Sequence, residues 1–185
     1  MKKLRWLSLF LLGLLQGCVG IPVATDYTVG SDFSAIKAYA WLEPKQKIII
    51  DPYVDNDLMN KRLHISIDRV MKDKGFQLSA ADSADVFISY HLSSYEKLKS
   101  THYHSHFGYY PCHGCFSGSI GFDGGSDITQ YREGSFIIDL IDPKSRQLLW
   151  RGVAERRLPK SGTPEKRDEY VNDIVAAILA KFPPK

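Results

Sequence analysis

The sequence predicts an α/β fold of the α+β kind, a mostly antiparallel sheet with two helices packed on one face. Three observations carry that expectation. Apolar residues recur at helical spacing in two separate segments, Met59–Met71 and Val171–Leu179. Runs rich in aromatic and β-branched residues stand at 33–41, 86–92, 136–141 and 148–153. The resulting order is strand, helix, strand, long loop, hairpin, helix, and each piece has one apolar side that a sheet covered on one face would bury. A chain of 185 residues, 44% apolar and 12% aromatic, is enough for one domain with a real core. The same figures exclude disordered, collagen-like and disulfide-knot classes.

Residues 1–17 read as a signal peptide. Lys2, Lys3 and Arg5 precede the leucine-rich stretch Trp6–Leu15, which is far shorter than the roughly 20 residues a membrane-spanning helix needs. The stretch closes on Leu15-Gln16-Gly17-Cys18, which resembles the bacterial lipobox. That resemblance implies a diacylglyceryl thioether and an N-acyl chain on Cys18. Val19, rather than Asp, after the cysteine implies sorting to the outer membrane. The expected location is the periplasmic face of the outer membrane, held by the lipid. The formal charge of +3 is supplied by the three basic residues of the leader, so the mature chain is balanced. A balanced chain has no global pull toward nucleic acid, and none is expected as a partner.

Residues 18–31 read as the lipidated cysteine and a tether, because Pro22, Gly30 and small polar residues break any periodicity. Residues 32–185 read as a single α/β domain. Phe33–Trp41 is predicted as a strand stopped by Glu43-Pro44, and Ile48–Ile50 as a short second segment. A helix is predicted over 58–74, with Asp55 or Asp57 as N-cap and Gly75 as its left-handed stop. In Val86–Leu92, Val86, Ile88, Tyr90 and Leu92 share one face, and Phe87, Ser89 and His91 the other. Residues 99–130 read as a long loop rich in Gly, Tyr and His, and loops of that length are usually functional. Phe136–Ile141 and Leu148–Val153 form a hairpin about Asp142-Pro143, which suits a type I turn. A helix over 165–182 ends the domain before Pro183-Pro184.

Several stretches together resemble one family of bacterial lipoproteins, domain of unknown function 4136. They are Asp32–Trp41, Lys74-Gly75-Phe76, Ala84–His91, Tyr131–Leu140 continuing through Leu148–Gly152, and Ile178–Pro184. The resemblance covers nearly all of 26–184 apart from the long loop, which here is enriched in His and holds two Cys. It implies an envelope lipoprotein without an assigned activity, and it hands over no catalytic residues.

The chemically suggestive stretch is His102, His104 and His106, followed by Cys112, His113 and Cys115. Imidazole and thiolate are the ligand set of tetrahedral zinc, and copper(I) suits the thiolates equally. On a strand, His102, His104 and His106 would stand about 6.6 Å apart in steps, too far for all three to share one ion without bending. A site would therefore use Cys112, Cys115 and two of the His. In an oxidising compartment the same pair can close a local disulfide or remain a free or intermolecular thiol. Phe116 after the second cysteine excludes haem attachment, and the Ser/Gly run behind it is poor material for a redox helix.

His64 and His91 read as solvated or hydrogen-bonded residues, Asp139 as a pairing residue, and Trp41 and Trp150 as core. The cluster Arg151, Arg156, Arg157 and Lys160, offset by Glu155, reads as a wet strand end rather than a lipid-binding patch. No nucleophile elbow, zinc-protease helix or phosphate loop occurs in the sequence. The expectation is a non-enzymatic, lipid-anchored domain without a cofactor, whose aromatic loop contacts another envelope component. The rival is zinc or copper binding or sensing through the loop.

Overall fold

The computed structural model describes residues 20–42, 51, 54, 56–102 and 126–184. Helix α1, Asp57–Asp73, begins where the Asn56 side chain accepts the Met59 amide at 3.0 Å, so the cap falls between the two aspartates expected to serve. It ends at Gly75, whose φ of 91° is a conformation that a Cβ would strain. Helix α2, Pro164–Leu179, starts behind Thr163 with proline in its first turn, where the missing N–H costs nothing. Leu63, Ile67 and Met71 of α1 and Val171, Ile174, Ile178 and Leu179 of α2 are buried, as their spacing predicts.

Six strands form one sheet: β1 (Val23–Tyr27), β2 (Ala38–Trp41), β3 (Gln77–Leu78), β4 (Val86–His102), β5 (Ser126–Ile141) and β6 (Leu148–Arg157). Their spatial order is β1-β6-β5-β4-β2-β3. The sheet is mixed rather than purely antiparallel, because β2 runs parallel to both β3 and β4. Helix α1 is the crossover that carries the chain from one end of β2 back to the start of β3, and such a return makes the two strands parallel.

Three boundaries differ from the sequence reading, each for a physical reason. Phe33–Ala35 is a 3-10 turn, because Asp32 accepts from the Ser34 amide at 3.0 Å and its hydroxyl at 2.6 Å, so the strand begins only at Ala38. The supposed tether contains β1, which pairs with β6 from Val23–Ala154 to Tyr27–Trp150. As an edge strand with four of its five residues exposed, β1 carries no apolar alternation to announce it. Both ends of the predicted loop 99–130 are strand instead, since β4 continues to His102 and β5 starts at Ser126, and the remainder lies outside the described residues. Ile48–Ile50 lies outside the described residues. The turn after β5 follows expectation: Asp142 Oδ1 accepts from the Lys144 amide at 2.9 Å and the Ser145 amide at 2.5 Å.

Both helices cover one face of the sheet and share a single core with it. Tyr39, Ile88, Phe136, Ile138, Leu140 and Trp150 line the sheet side. Trp150 meets Phe182 edge-on at 5.4 Å between ring centroids, closing the core behind the end of α2. Gly152 lets α2 approach β6 closely. A Cβ there would stand 2.5 Å from both Ile178 Cγ2 and the Trp150 ring, and neither group has room to retreat. Gly152→Ala should therefore lower unfolding stability by about 1–3 kcal/mol in urea titration. An unchanged midpoint would mean that α2 sits farther from the sheet than described.

Candidate functional site

Two features converge at one end of the sheet. The first is an arm. Strands β4 and β5 are paired from Phe87–Ile141 to His102–Ser126, but their outer neighbours stop early. Strand β6 last meets β5 where the Leu158 amide donates to the Arg132 carbonyl at 2.9 Å. Strand β2 reaches only Ile88 on β4, and farther along Asp51 Oδ2 accepts from the Ser94 amide at 2.7 Å. Beyond Ser94 and Arg132, among the described residues, each of the two strands pairs through its backbone only with the other, while Glu155 and Arg157 of β6 still reach Lys97 and Tyr131 with their side chains. At about 3.4 Å per residue this ribbon carries the chain roughly 20 Å past the end of β6.

A two-stranded ribbon has little burial of its own and depends on cross-strand pairs. On the face continuous with the helix side, Arg132 donates to Glu96 at 3.0 Å and Gln130 donates to Glu96 at 2.6 Å. On the other face Lys97 bonds Glu133 and stands 5.0 Å above the Tyr95 ring. Within this polar lattice Leu98 and Ile128 are 71% and 62% exposed. Their register, Leu98 opposite Gln130 and Ser100 opposite Ile128, makes them diagonal neighbours on one face.

The second feature is a cleft of about 290 Å³ between the root of the arm, the Leu158–Lys160 segment and the first turns of α2. Its rim carries Arg132, Arg157, Lys160 and Arg167, and Met59 and Leu158 contribute an apolar floor. Arg132 is held by Glu96. The Arg157 guanidinium lies 5.0 Å over the Tyr131 ring, and Arg167 Nε donates to the Gly162 carbonyl at 3.4 Å. Among the described residues no carboxylate pairs with Arg157, Lys160 or Arg167. The basic cluster expected from sequence is thus divided: Arg156 turns to Asp173 at 3.2 Å and stacks on Tyr170, Arg151 belongs elsewhere, and Arg157 and Lys160 are joined by Arg132 and Arg167.

The uncovered sheet face holds a clamp. Arg151 grips Asp139 with two bonds of 2.7 Å, and the carboxylate, although on the face without helices, is 2% exposed. This hydrogen bond raises the Arg151 pKa further. His91 Nε2 stands 3.6 Å from Asp139 Oδ2, beyond hydrogen-bond distance. With both carboxylate oxygens engaged by Arg151, the group ties β5 to β6 and is not arranged as a proton relay.

Of the residues singled out from sequence, His102 is placed at the end of β4, opposite Ser126. Cys18, His104, His106, Cys112, His113 and Cys115 lie outside the described residues, and so do the disulfide and metal readings built on them. Among the described residues no three His, Cys, Asp or Glu side chains group as metal ligands. No described helix is long and apolar enough to cross a membrane. Trp150 is core, and Trp41 packs on His64 with ring centroids 3.9 Å apart. Asp68, which sequence reasoning passed over, accepts from Tyr39 Oη at 2.7 Å and Trp41 Nε1 at 3.2 Å. Burial and Asp68 both push the Tyr39 phenol up.

A family model described as Domain of unknown function (DUF4136) matches residues 23–184. No curated protein matches the chain. Among solved structures, a PDZ domain protein from Parabacteroides distasonis is similar at 18% identity and a TM-score of 0.54, over 89% of this chain and 36% of that one. The chain thus spans about a third of that relative's length, and the likeness is one of fold. The PelC dodecamer from Paraburkholderia phytofirmans is similar at 12% identity and a TM-score of 0.45, over 86% of this chain and 96% of that one.

His64 gives this region a pH signature. Burial beneath Trp41 holds its pKa below the ordinary histidine value of 6.5, against the opposing pull of Asp68. The unfolded chain then binds this proton more readily than the folded one, so stability falls as pH drops through 6.5 toward the lowered folded value. Urea midpoints measured across that range should decline less in His64→Gln than in the unaltered chain. Parallel declines would place the titrating group elsewhere.

Proposed function

The chain belongs to the DUF4136 family, and from that premise we propose that it is a non-enzymatic, lipid-anchored envelope protein that docks another component of the same membrane through its β4–β5 arm. The observation that carries this reading is the arm itself, a ribbon with no further paired strand among the described residues that presents Leu98 and Ile128 to solvent. Monomeric domains seldom keep paired apolar side chains on a projecting strand unless something covers them. Neighbouring Lys97, Lys99 and Glu96 keep the ribbon soluble until it is covered.

The lipobox-like Leu15–Cys18 supports the anchor, and the topology supports its placement. Because Val23 pairs with Ala154, the chain ahead of β1 runs toward the Arg157 end of β6, the end from which the arm leaves. Only Val19–Pro22 separates Cys18 from the sheet, and the five steps to Val23 span at most about 18 Å. An arm of roughly 20 Å on so short a leash meets a partner in or on the anchoring membrane more readily than one across the periplasm. The Asp139–Arg151 clamp supports a structural rather than catalytic use of the buried carboxylate.

Cells fed labelled palmitate should incorporate it into the unaltered chain and not into Cys18→Ser. A photo-cross-linker at position 98 should capture one reproducible outer-membrane component, and Ile128→Glu should reduce its yield at least tenfold. Unlabelled protein removes the anchor from the reading, and an unchanged yield removes the arm.

A further inference from the structure

The geometry points to the cleft beside the arm as a binding site for the phosphodiester of an anionic phospholipid, which seats this end of the domain on the membrane. The orientation rests on the Cys18 anchor proposed above, but the chemistry of the cleft stands apart from it. Arg157, Lys160 and Arg167 lack a carboxylate partner among the described residues, and all three are exposed at the rim of a cleft of about 290 Å³. That volume admits a glycerophosphate headgroup and is too small for acyl chains. Guanidinium groups pair phosphate oxygens two at a time, and lysine adds a mobile point charge. The apolar floor of Met59 and Leu158 suits the glycerol shoulder of a lipid better than a fully hydrated inorganic ion.

Placement supplies the second strand of evidence. Gly20 lies two positions after Cys18 and three before Val23, which is paired with Ala154 on the strand that ends at Arg157. The cationic rim and the anchor point are therefore at the same end of the sheet. The pocket at the opposite end has three carboxylates, Asp32, Asp85 and Asp142, against one cation, Lys144, a net negative lining that a negatively charged leaflet would turn away from itself. Three exposed cations bind such a surface weakly alone. Joined to an acyl anchor they need only fix orientation, because the anchor already supplies the local concentration.

The test uses residues 19–185 without leader or acyl chains, which contain every described strand, both helices and the whole described core. This protein should co-sediment with phosphatidylglycerol/phosphatidylcholine vesicles and not with phosphatidylcholine alone. The triple change Arg157→Gln, Lys160→Gln, Arg167→Gln should lower the partition roughly a hundredfold. The equal charge loss Lys37→Gln, Lys72→Gln, Lys144→Gln at the other end should leave it within about twofold, as distant charges act only through the screened net field. Equal losses in the two triples, or no need for phosphatidylglycerol, would overturn the proposal. Displacement by inorganic phosphate at the same ionic strength as a chloride control would assign the cleft to a soluble anion and overturn the lipid source. Should the first triple unfold, photoactivatable phosphatidylglycerol on the unaltered protein must label peptides within 157–167, and label confined elsewhere would refute the site. Palmitate labelling reports on Cys18 independently, so failure of the anchor and failure of the cleft are distinguishable.

Discussion

The ladder between β4 and β5 is the constraint on which the rest of the molecule depends. Its lower half, flanked by β6 and β2, is the centre of the sheet and carries Ile88, Ile138 and Leu140 into the core beneath both helices. Its upper half has lost those neighbours and is held by backbone pairing and a few polar cross-strand contacts. One continuous register thus joins a rigid base to an exposed arm. A slip by one residue would turn the arm's faces over together with the core's, so the buried half fixes which face of the arm shows Leu98 and Ile128.

The same logic determines where the amino end lies. Pairing of β1 with β6 shortens a connection that composition alone makes look like a long tether, and it fixes the exit near Arg157. The arm, the cleft and the start of β1 then share one end of the sheet, and the pocket with Asp32, Asp85 and Asp142 lies at the other. This common placement is what lets the proposed docking arm and the proposed phosphodiester cleft face the same membrane.

What could be read from the sequence follows from which forces leave a pattern. Both helices were legible because their buried stripes repeat with the helical period, and so were the central strands, whose apolar residues sit on one face. The mixed pairing of β2 was not legible, because parallel and antiparallel partners bury the same side chains. Strand β1 and the arm were hidden because hydrogen bonding, rather than burial, holds them, and Lys97-Leu98-Lys99 has no buried face to declare. The cleft was only half visible. Arg157 and Lys160 are close in the chain, while Arg132 arrives from the adjacent strand and Arg167 from α2, and Arg156 drops out because Asp173 and the Tyr170 ring engage it. Asp139 announced itself as a polar residue among Ile137 and Ile141, but its partner Arg151 is set by cross-strand register, which the sequence does not state.

The claim that unites these features is orientation, with the Arg157 end against the membrane and the Asp142 turn away from it. Energy transfer from a fluorophore placed at Lys160 or at Lys144 to an acceptor in the headgroup layer, with the lipidated chain reconstituted in vesicles, measures it directly. The account predicts strong transfer from position 160 and weak transfer from position 144. Equal transfer from both, or the reverse ranking, would contradict it.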